Sequence, residues 1–254
     1  MSLKLLIDIG NSNIVFGIAD VEHNKILFKW RSVCNVNITS DDFAINLINH
    51  LNYFGVKINS VSVSCVVAEL FFIVKNAILN YFDIVPKIVD YKLKCDLNFD
   101  ELENPEELGA DRIVDCLAGY KFYSKKKFDL IIIDFGTATT YDLLDKSGKF
   151  ITGITAPGMK IAAKSLFNSA SLLSGIEIYD PKNIFVKNTG DSLRAGIIYS
   201  QIGACEFIIN KLKNYYPEAK VIATGGLCNL INSDLINIKD VDLTLKGLMK
   251  TGLS

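Results

Sequence analysis

Two acids, each set between an apolar run and a glycine turn, carry the chemistry that this sequence suggests. Leu130 to Asp142 reads LIIIDFGTATTYD, in which four apolar residues end at Asp134 and Phe135-Gly136-Thr137-Ala138-Thr139-Thr140 comes next. Such a run ending at an acid and a glycine reads as a buried strand opening into a tight turn. Gly136 has no Cβ, so backbone N–H groups there can come close to an anion. Thr137, Thr139 and Thr140 add hydroxyl donors, and Asp134 offers a carboxylate to a cation that accompanies phosphate. A single turn of this kind also fits a capped hairpin. The pattern occurs twice, however. Leu5-Leu6-Ile7-Asp8-Ile9-Gly10-Asn11-Ser12-Asn13 again gives an apolar strand, Asp-x-Gly and a run of small polar side chains. Two such turns facing one another would grip a nucleoside triphosphate between two lobes.

A second group of chemical residues is Gly109-Ala110-Asp111-Arg112. Ile113, Val114, Leu117, Ala118 and Tyr120 come after it at helical spacing, which places an acid and a guanidinium in the first turn of a helix. Two readings stand: Asp111 favoured by the helix dipole with Arg112 in a surface pair, or an anion-binding arginine beside a base. Val221-Ile222-Ala223-Thr224-Gly225-Gly226 supplies one more strand ending in a hydroxyl and two glycines, suited to passing backbone over an adenosine. No G-x-x-x-x-G-K-[ST] occurs, which excludes a P-loop ATPase. No G-x-G-x-x-G comes after either leading strand, which argues against a dinucleotide enzyme.

The elements that must hold these residues repeat as well. After the first turn come an apolar run (Ile14 to Ala19), a polar turn and a strand from Ile26 to Trp30. After the second come Tyr141 to Leu144, the turn Asp145 to Lys149, and Phe150 to Thr155. Each half is therefore expected to open with a three-strand antiparallel meander. Thr39-Ser40-Asp41-Asp42 starts a helix expected to run to Phe54 and stop at Gly55. A strand over Ser60 to Val67, a helix over Ala68 to Tyr81 and a strand over Ile84 to Val89 complete an α/β pattern. Tyr91 to Leu108 reads as a long irregular connection. In the second half a helix is expected from Met159 to about Leu173 and a loop over Ser169 to Val186. Asn188 then caps a helix pair reaching about Lys213.

With 254 residues the chain has room for two domains, and the repeat argues for two, over 1-117 and 118-254. Half the residues are hydrophobic and 22% are charged, an ordinary globular composition. A net charge of −1 provides no basic field for nucleic acid or an anionic membrane. Lys125-Lys126-Lys127 is the densest basic run and suits a helix end. The six cysteines form no C-x-x-C pair and there are only two histidines, so neither zinc nor a catalytic Cys–His pair is expected. The apolar stretch Val61 to Val85 is broken by Glu69, Lys75, Asn76 and Asp83 and does not read as a membrane span. Met1-Ser2-Leu3-Lys4 leads directly into a strand, so a soluble cytoplasmic protein is expected.

Taken in order, these segments resemble the type III pantothenate kinases. They are DIGNSN at 8–13, GADR at 109–112, DFGTATT at 134–140, GITAPG at 153–158, NTGDSLRAG at 188–196 and ATGG at 223–226. The tail Leu243-Thr244-Leu245-Lys246-Gly247-Leu248 also fits. The resemblance runs from Leu5 to Leu248. It implies two duplicated actin-like (ribonuclease H-like) α/β domains around an ATP cleft, as in the acetate and sugar kinase, Hsp70 and actin superfamily.

The resemblance further implies ATP-dependent phosphorylation of pantothenate, the first step towards coenzyme A, by a homodimer. It implies that Asp111 accepts the proton and that Gly109, Ala110, Asp111, Arg112 and Thr189 contact pantothenate. Asp8, Ile9, Gly10, Asn11, Ser12, Asn13, Ile14 and Val15 would hold the ATP phosphates with Thr137. Asp134 would ligate a monovalent cation, potassium or ammonium, while magnesium travels with the ATP. The sequence departs from the family pattern at Leu102, where a tyrosine contact is common, and at Ser12 and Ser200, where threonine and glycine are frequent. Two alternatives stay open: a non-catalytic regulatory relative, and a kinase or phosphatase of the same superfamily with another substrate.

Overall fold

A computed structural model describes residues 2–169 and 177–252 of the chain. Two five-stranded mixed sheets form, with helices between their strands. In the first, β1 (Leu3–Ile9), β2 (Asn13–Asp20) and β3 (Lys25–Val33) make an antiparallel meander. Then β4 (Ser60–Cys65) pairs parallel to β1, and β5 (Lys87–Ile88) parallel to β4. In the second, β6 (Leu130–Phe135), β7 (Ala138–Leu144) and β8 (Phe150–Pro157) repeat the meander, with β9 (Lys220–Thr224) and β10 (Ile238–Lys239) added in parallel. The orders are β3-β2-β1-β4-β5 and β8-β7-β6-β9-β10, the same path traced twice. The expected duplicated α/β architecture is thus present in the strand order itself.

Strand alternation decides where the acids go. Leu5, Ile7 and Ile9 face a core shared with helices α1 (Ser40–Phe54) and α2 (Ala68–Phe82), through Phe43, Leu47, Leu70, Val74 and Ile78. Because the side-chain period is two, Leu6 and Asp8 must point to the other face. The second sheet does the same. Ile131, Ile133 and Phe135 join the core built with helices α4 (Met159–Ser169) and α5 (Thr189–Lys213), leaving Ile132 and Asp134 on the opposite face. The helix ends obey their sequence signals. Thr39 Oγ1 accepts from Asp42 N at 3.1 Å to start α1, and Gly55 ends it in the left-handed region at φ 64.

Three expectations need correction. The strand expected over Ile84 to Val89 shrinks to Lys87–Ile88, because Pro86 has no N–H to give and lies at the sheet edge. The strand expected to reach Val67 ends at Cys65, and Val67 instead precedes α2 as its N-cap. The helix pair after Asn188 is one continuous helix, α5. Gly196 and Gly203 do not break it: each costs about 1 kcal/mol against alanine, while Ala195, Ile198, Cys205 and Ile209 are buried along one side. The helix expected to reach Leu173 is described as far as Ser169, and its remainder lies outside the described residues.

The chain divides into two compact units. The first runs through Lys121 and takes up the chain again from Leu243, and the second is Phe122–Asp242. Set beside the expected division at 117/118, the switch comes slightly later and the last helix, α6 (Leu243–Lys250), returns to the first unit. There α6 covers the Leu6–Asp8 face of the first sheet together with α3 (Ala110–Ala118). A Cβ on Gly17 of β2 would sit 3.2 Å from Leu245. The buried Lys4 ammonium donates to the Thr251 carbonyl just beyond α6, and Thr251 Oγ1 donates to Ser62 Oγ at 2.7 Å.

The closest approach in this layer is Gly247, where a Cβ would lie 2.0 Å from the Val114 carbonyl oxygen of α3. Two backbones meet there, so no rotamer change relieves the clash. Gly247→Ala is expected to destabilise the protein by about 2 kcal/mol or more, read as a lower urea midpoint. An unchanged midpoint would mean that α3 and α6 are not held in this contact.

Candidate active site

In the first unit the site begins with a row of residues across the sheet. Asp8 is register partner of Val15 on β2 and of Ser64 on β4, and Val15 is partner of Arg31 on β3. All four therefore share the face opposite the α1–α2 core. The turn after Asp8 is closed by Gly10 N donating to Asn13 O at 3.0 Å, and Cys34 N donates to Ser12 O at 3.2 Å. This keeps residues 8–13 in one tight bend at the end of the row.

Facing this row is the first turn of α3. Gly109 is its N-cap, and Asp111 Oδ1 accepts from Arg112 N at 2.8 Å. The position of Gly109 is tied to that carboxylate, since a Cβ there would stand 2.5 Å from Asp111 Oδ1. Burial pushes the Asp111 carboxyl above its ordinary value, and the Arg112 amide and guanidinium only partly offset this. Asp8 is pushed up to about 7, first by burial and then by the charge of Asp111, against the Ser64 hydroxyl and the Arg31 guanidinium. So the two acids lie close enough to feel one another, in a setting that favours a held proton. A carboxylate with a raised pKa near an alcohol is suited to general base work at neutral pH.

A cavity of about 480 Å³ opens beside this turn, with Gly109, Ala110, Val66, Tyr91 and Glu106 in its wall. Leu102, half-buried in the preceding connection, is not among the residues of that wall; Tyr91 brings a phenol to it instead.

In the second unit Asp134 occupies the equivalent strand end, and two glycines make room for it. A Cβ on Gly136 would lie 3.0 Å from Asp134 Oδ2, and one on Gly225 would lie 2.2 Å from Oδ1. Gly225 also adopts φ +89, a left-handed conformation that only glycine takes without strain. Thr224 is register partner of Asp134, and its Oγ1 is buried with no hydrogen-bond partner. A carboxylate beside an unsatisfied hydroxyl is a hard-oxygen donor set of the kind a cation takes. Thr137 lies in the turn after Asp134, and Gly158 backs that turn, as its Cβ would meet Thr137 O at 2.2 Å.

The structure thus brings Asp8 to Val15 together with Gly109 to Arg112 in the first unit, and Asp134 with Thr137 in the second. Thr189 belongs to the second unit, as the first residue of α5. Its neighbour Asn188 caps that helix by accepting from Asp191 N at 2.8 Å. Arg194 holds Asp191 at 2.9 Å and lies over the Tyr179 ring, which fixes this helix start. Ser64, Arg31 and Tyr91 were not legible as site residues in the sequence, because none lies in a glycine turn. Register alone could have found the first two, once β1 was paired with β2 and β4.

Residues 4–211 match the family described as Type III pantothenate kinase. A protein named "Type III pantothenate kinase" from Agathobacter rectalis is 41% identical over 251 residues, covering 96% of this chain and 94% of its own. One of the same name from Geotalea daltonii is 40% identical, covering 97% of this chain and 96% of its own. Among solved structures, the activator of 2-hydroxyisocaproyl-CoA dehydratase from Clostridium difficile with bound ADPNP superposes with a TM-score of 0.56. It is 14% identical, with 97% of this chain and 91% of that one covered, a likeness of fold.

The raised Asp8 carboxyl makes stability depend on pH. Its ordinary value is 3.8 and its folded value about 7, so between them the folded chain keeps a proton that the unfolded chain has released. The contribution of Asp8 is therefore fully present below the lower value and falls as pH rises towards 7. Asp8→Asn removes this titration. Without nucleotide, its melting temperature relative to wild type is expected to be higher at about pH 8 than at about pH 4.5, by calorimetry. An equal offset at both pH values would mean that Asp8 titrates as an ordinary surface acid.

Proposed function

The chain belongs to the type III pantothenate kinase family, and on that premise we propose how its residues divide the work. The reaction is the ATP-dependent phosphorylation of pantothenate, which leads to coenzyme A. One observation carries the assignment of roles: a half-buried acid, Asp111, sits in the first turn of α3 facing the glycine turn next to Asp8.

In this reading the backbone of Asp8 to Val15, with the Thr137 hydroxyl, cradles the ATP phosphates, and magnesium arrives with them. Phosphoryl transfer asks mainly for positioning and charge neutralisation, which turns of this kind provide. Asp111 orients the primary hydroxyl of pantothenate and takes its proton as the oxygen bonds to the γ-phosphorus and ADP departs. Gly109 and Ala110 let the substrate backbone lie close, and Arg112 pairs with its carboxylate. Thr189 gives a further hydroxyl to pantothenate. Tyr91, in the cavity wall beside Gly109, offers the phenol that Leu102 does not.

Asp134 and Thr224 fit a monovalent cation, potassium or ammonium, through a carboxylate and a sealed, unpartnered hydroxyl. Such an ion would neutralise Asp134 so that it does not repel triphosphate. We also assign a homodimer. Along one exposed side α5 presents Gly196, Ser200, Gly203 and Phe207, a flat face suited to a second copy. No helix among the described residues is long and apolar enough to cross a membrane. A cytoplasmic location belongs to the same proposal.

Asp111→Asn keeps the size of the side chain and removes the base, so kcat is expected to fall by about 10²–10⁴-fold with the fold intact by circular dichroism. A loss below about threefold would remove Asp111 from the role of proton acceptor. At constant ionic strength, turnover is expected to rise steeply with potassium or ammonium and little with sodium, and Asp134→Asn should blunt that response. Equal turnover in sodium and potassium would sink the cation assignment while leaving the Asp111 result untouched.

A further inference from the structure

Arg31 and Ser64 are the residues of the Asp8 row without a task in the reaction as described, and of the two only Arg31 carries a charge. It lies on β3, in register with Val15, which is in register with Asp8. The alternation of β3 is fixed independently: Trp30 stacks on Phe16 with ring centroids 4.9 Å apart, on the face turned to the α1–α2 core. Arg31 must therefore point to the opposite face, that of Asp8. Two strand spacings separate it from Asp8, about 10 Å between backbones, and an extended arginine spans most of that distance. Its charge reaches Asp8 in the structure, where it opposes the effect of Asp111.

The Arg31 side chain is exposed, and its charge acts on Asp8 from two strands away, which leaves its N–H fork facing solvent. Each of Asp8 and Asp111, whenever it has released its proton, adds negative charge to this face, which would repel a triphosphate of several negative charges. Of the cations on this face, Arg112 is committed to the substrate carboxylate in the proposed reaction. A planar fork of N–H donors on a fixed strand, next to a turn that presents backbone amides, suits phosphate oxygens.

We propose that Arg31 is a nucleotide-binding residue that contacts the polyphosphate of ATP from the edge of the glycine turn. The proposal rests on the placement of the phosphates at residues 8–15. Arg31 supplies positive charge opposite Asp8 and Asp111 and aligns the terminal phosphate for transfer; it takes no proton and forms no covalent bond.

The test measures ADP and adenosine binding by calorimetry, with magnesium and pantothenate present, for wild type, Arg31→Ala, Arg31→Lys and Gly10→Ala. Arg31→Ala is expected to weaken ADP by about one to two decades and leave adenosine within about twofold, with Arg31→Lys in between. Its KM for ATP should rise far more than its KM for pantothenate. Unchanged ADP affinity in Arg31→Ala, with Gly10→Ala weakened, would overturn the role of Arg31 alone. Unchanged affinity in both would overturn the phosphate placement as well. Weakening in Arg31→Ala but not in Gly10→Ala would keep Arg31 as a contact and move the phosphates off the turn. Equal loss for ADP and adenosine would overturn the proposal, because the substitution would then act through the fold.

Discussion

Carboxylates held partly out of water are the constraint on which this structure turns. Asp8 and Asp111 stand on one face of the first sheet, where burial raises both above their ordinary values and the charge of Asp111 raises Asp8 further. Left alone, such a pair is a cost that a compact fold tolerates only when something offsets it. Here the offsets are local and modest: an amide and a guanidinium from Arg112, a hydroxyl from Ser64 and the distant charge of Arg31. The compensation is incomplete, and both carboxyls stay above their ordinary values. Glycines let the acids into these positions. Gly109, Gly136 and Gly225 each stand where a Cβ would crowd the carboxylate it serves.

Much of this was legible in the sequence, and the part that was legible is local. The meanders, the α1 caps at Thr39 and Gly55, and the Asp-x-Gly turns all arise from residues a few positions apart. The GADR segment likewise reads as a helix start without any tertiary information. What escaped was long-range or depended on neighbours. The continuity of α5 is decided by packing along Ala195, Ile198, Cys205 and Ile209, which overrides two glycines. The shortness of β5 comes from its place at the sheet edge together with Pro86. Arg31 and Ser64 become site residues only through pairing register, and Tyr91 only through the fold of a long connection. The family motifs pointed to the right chemistry but not to these supports.

The duplication also shows how one frame is turned to two uses. Asp8 and Asp134 end equivalent strands, each on the face of its sheet opposite the helical core. Beside Asp8 stand Ser64 and another acid; beside Asp134 stand Thr224 and two glycines packed against its oxygens. The first setting raises a proton affinity. The second packs two glycines against the carboxylate oxygens, while a buried hydroxyl without a hydrogen-bond partner stands beside the acid in both, Ser64 and Thr224. Equivalent backbone positions thus diverge through what lies one strand over, while the turns themselves change little.

The return of α6 to the first unit bears on how the chain is made. β1 leaves the ribosome among the earliest elements, yet the face that carries Leu6 and Asp8 is covered by α6, which emerges after the whole second unit. The second unit, a single uninterrupted stretch, is complete once Asp242 is made, when the first has all its strands but still lacks α6. The N-terminal body is therefore completed last, after the unit that comes between its two pieces. Until synthesis reaches Gly247, α3 is the one helix over that face of the first sheet, and the groove beside it that receives α6 stays open to water.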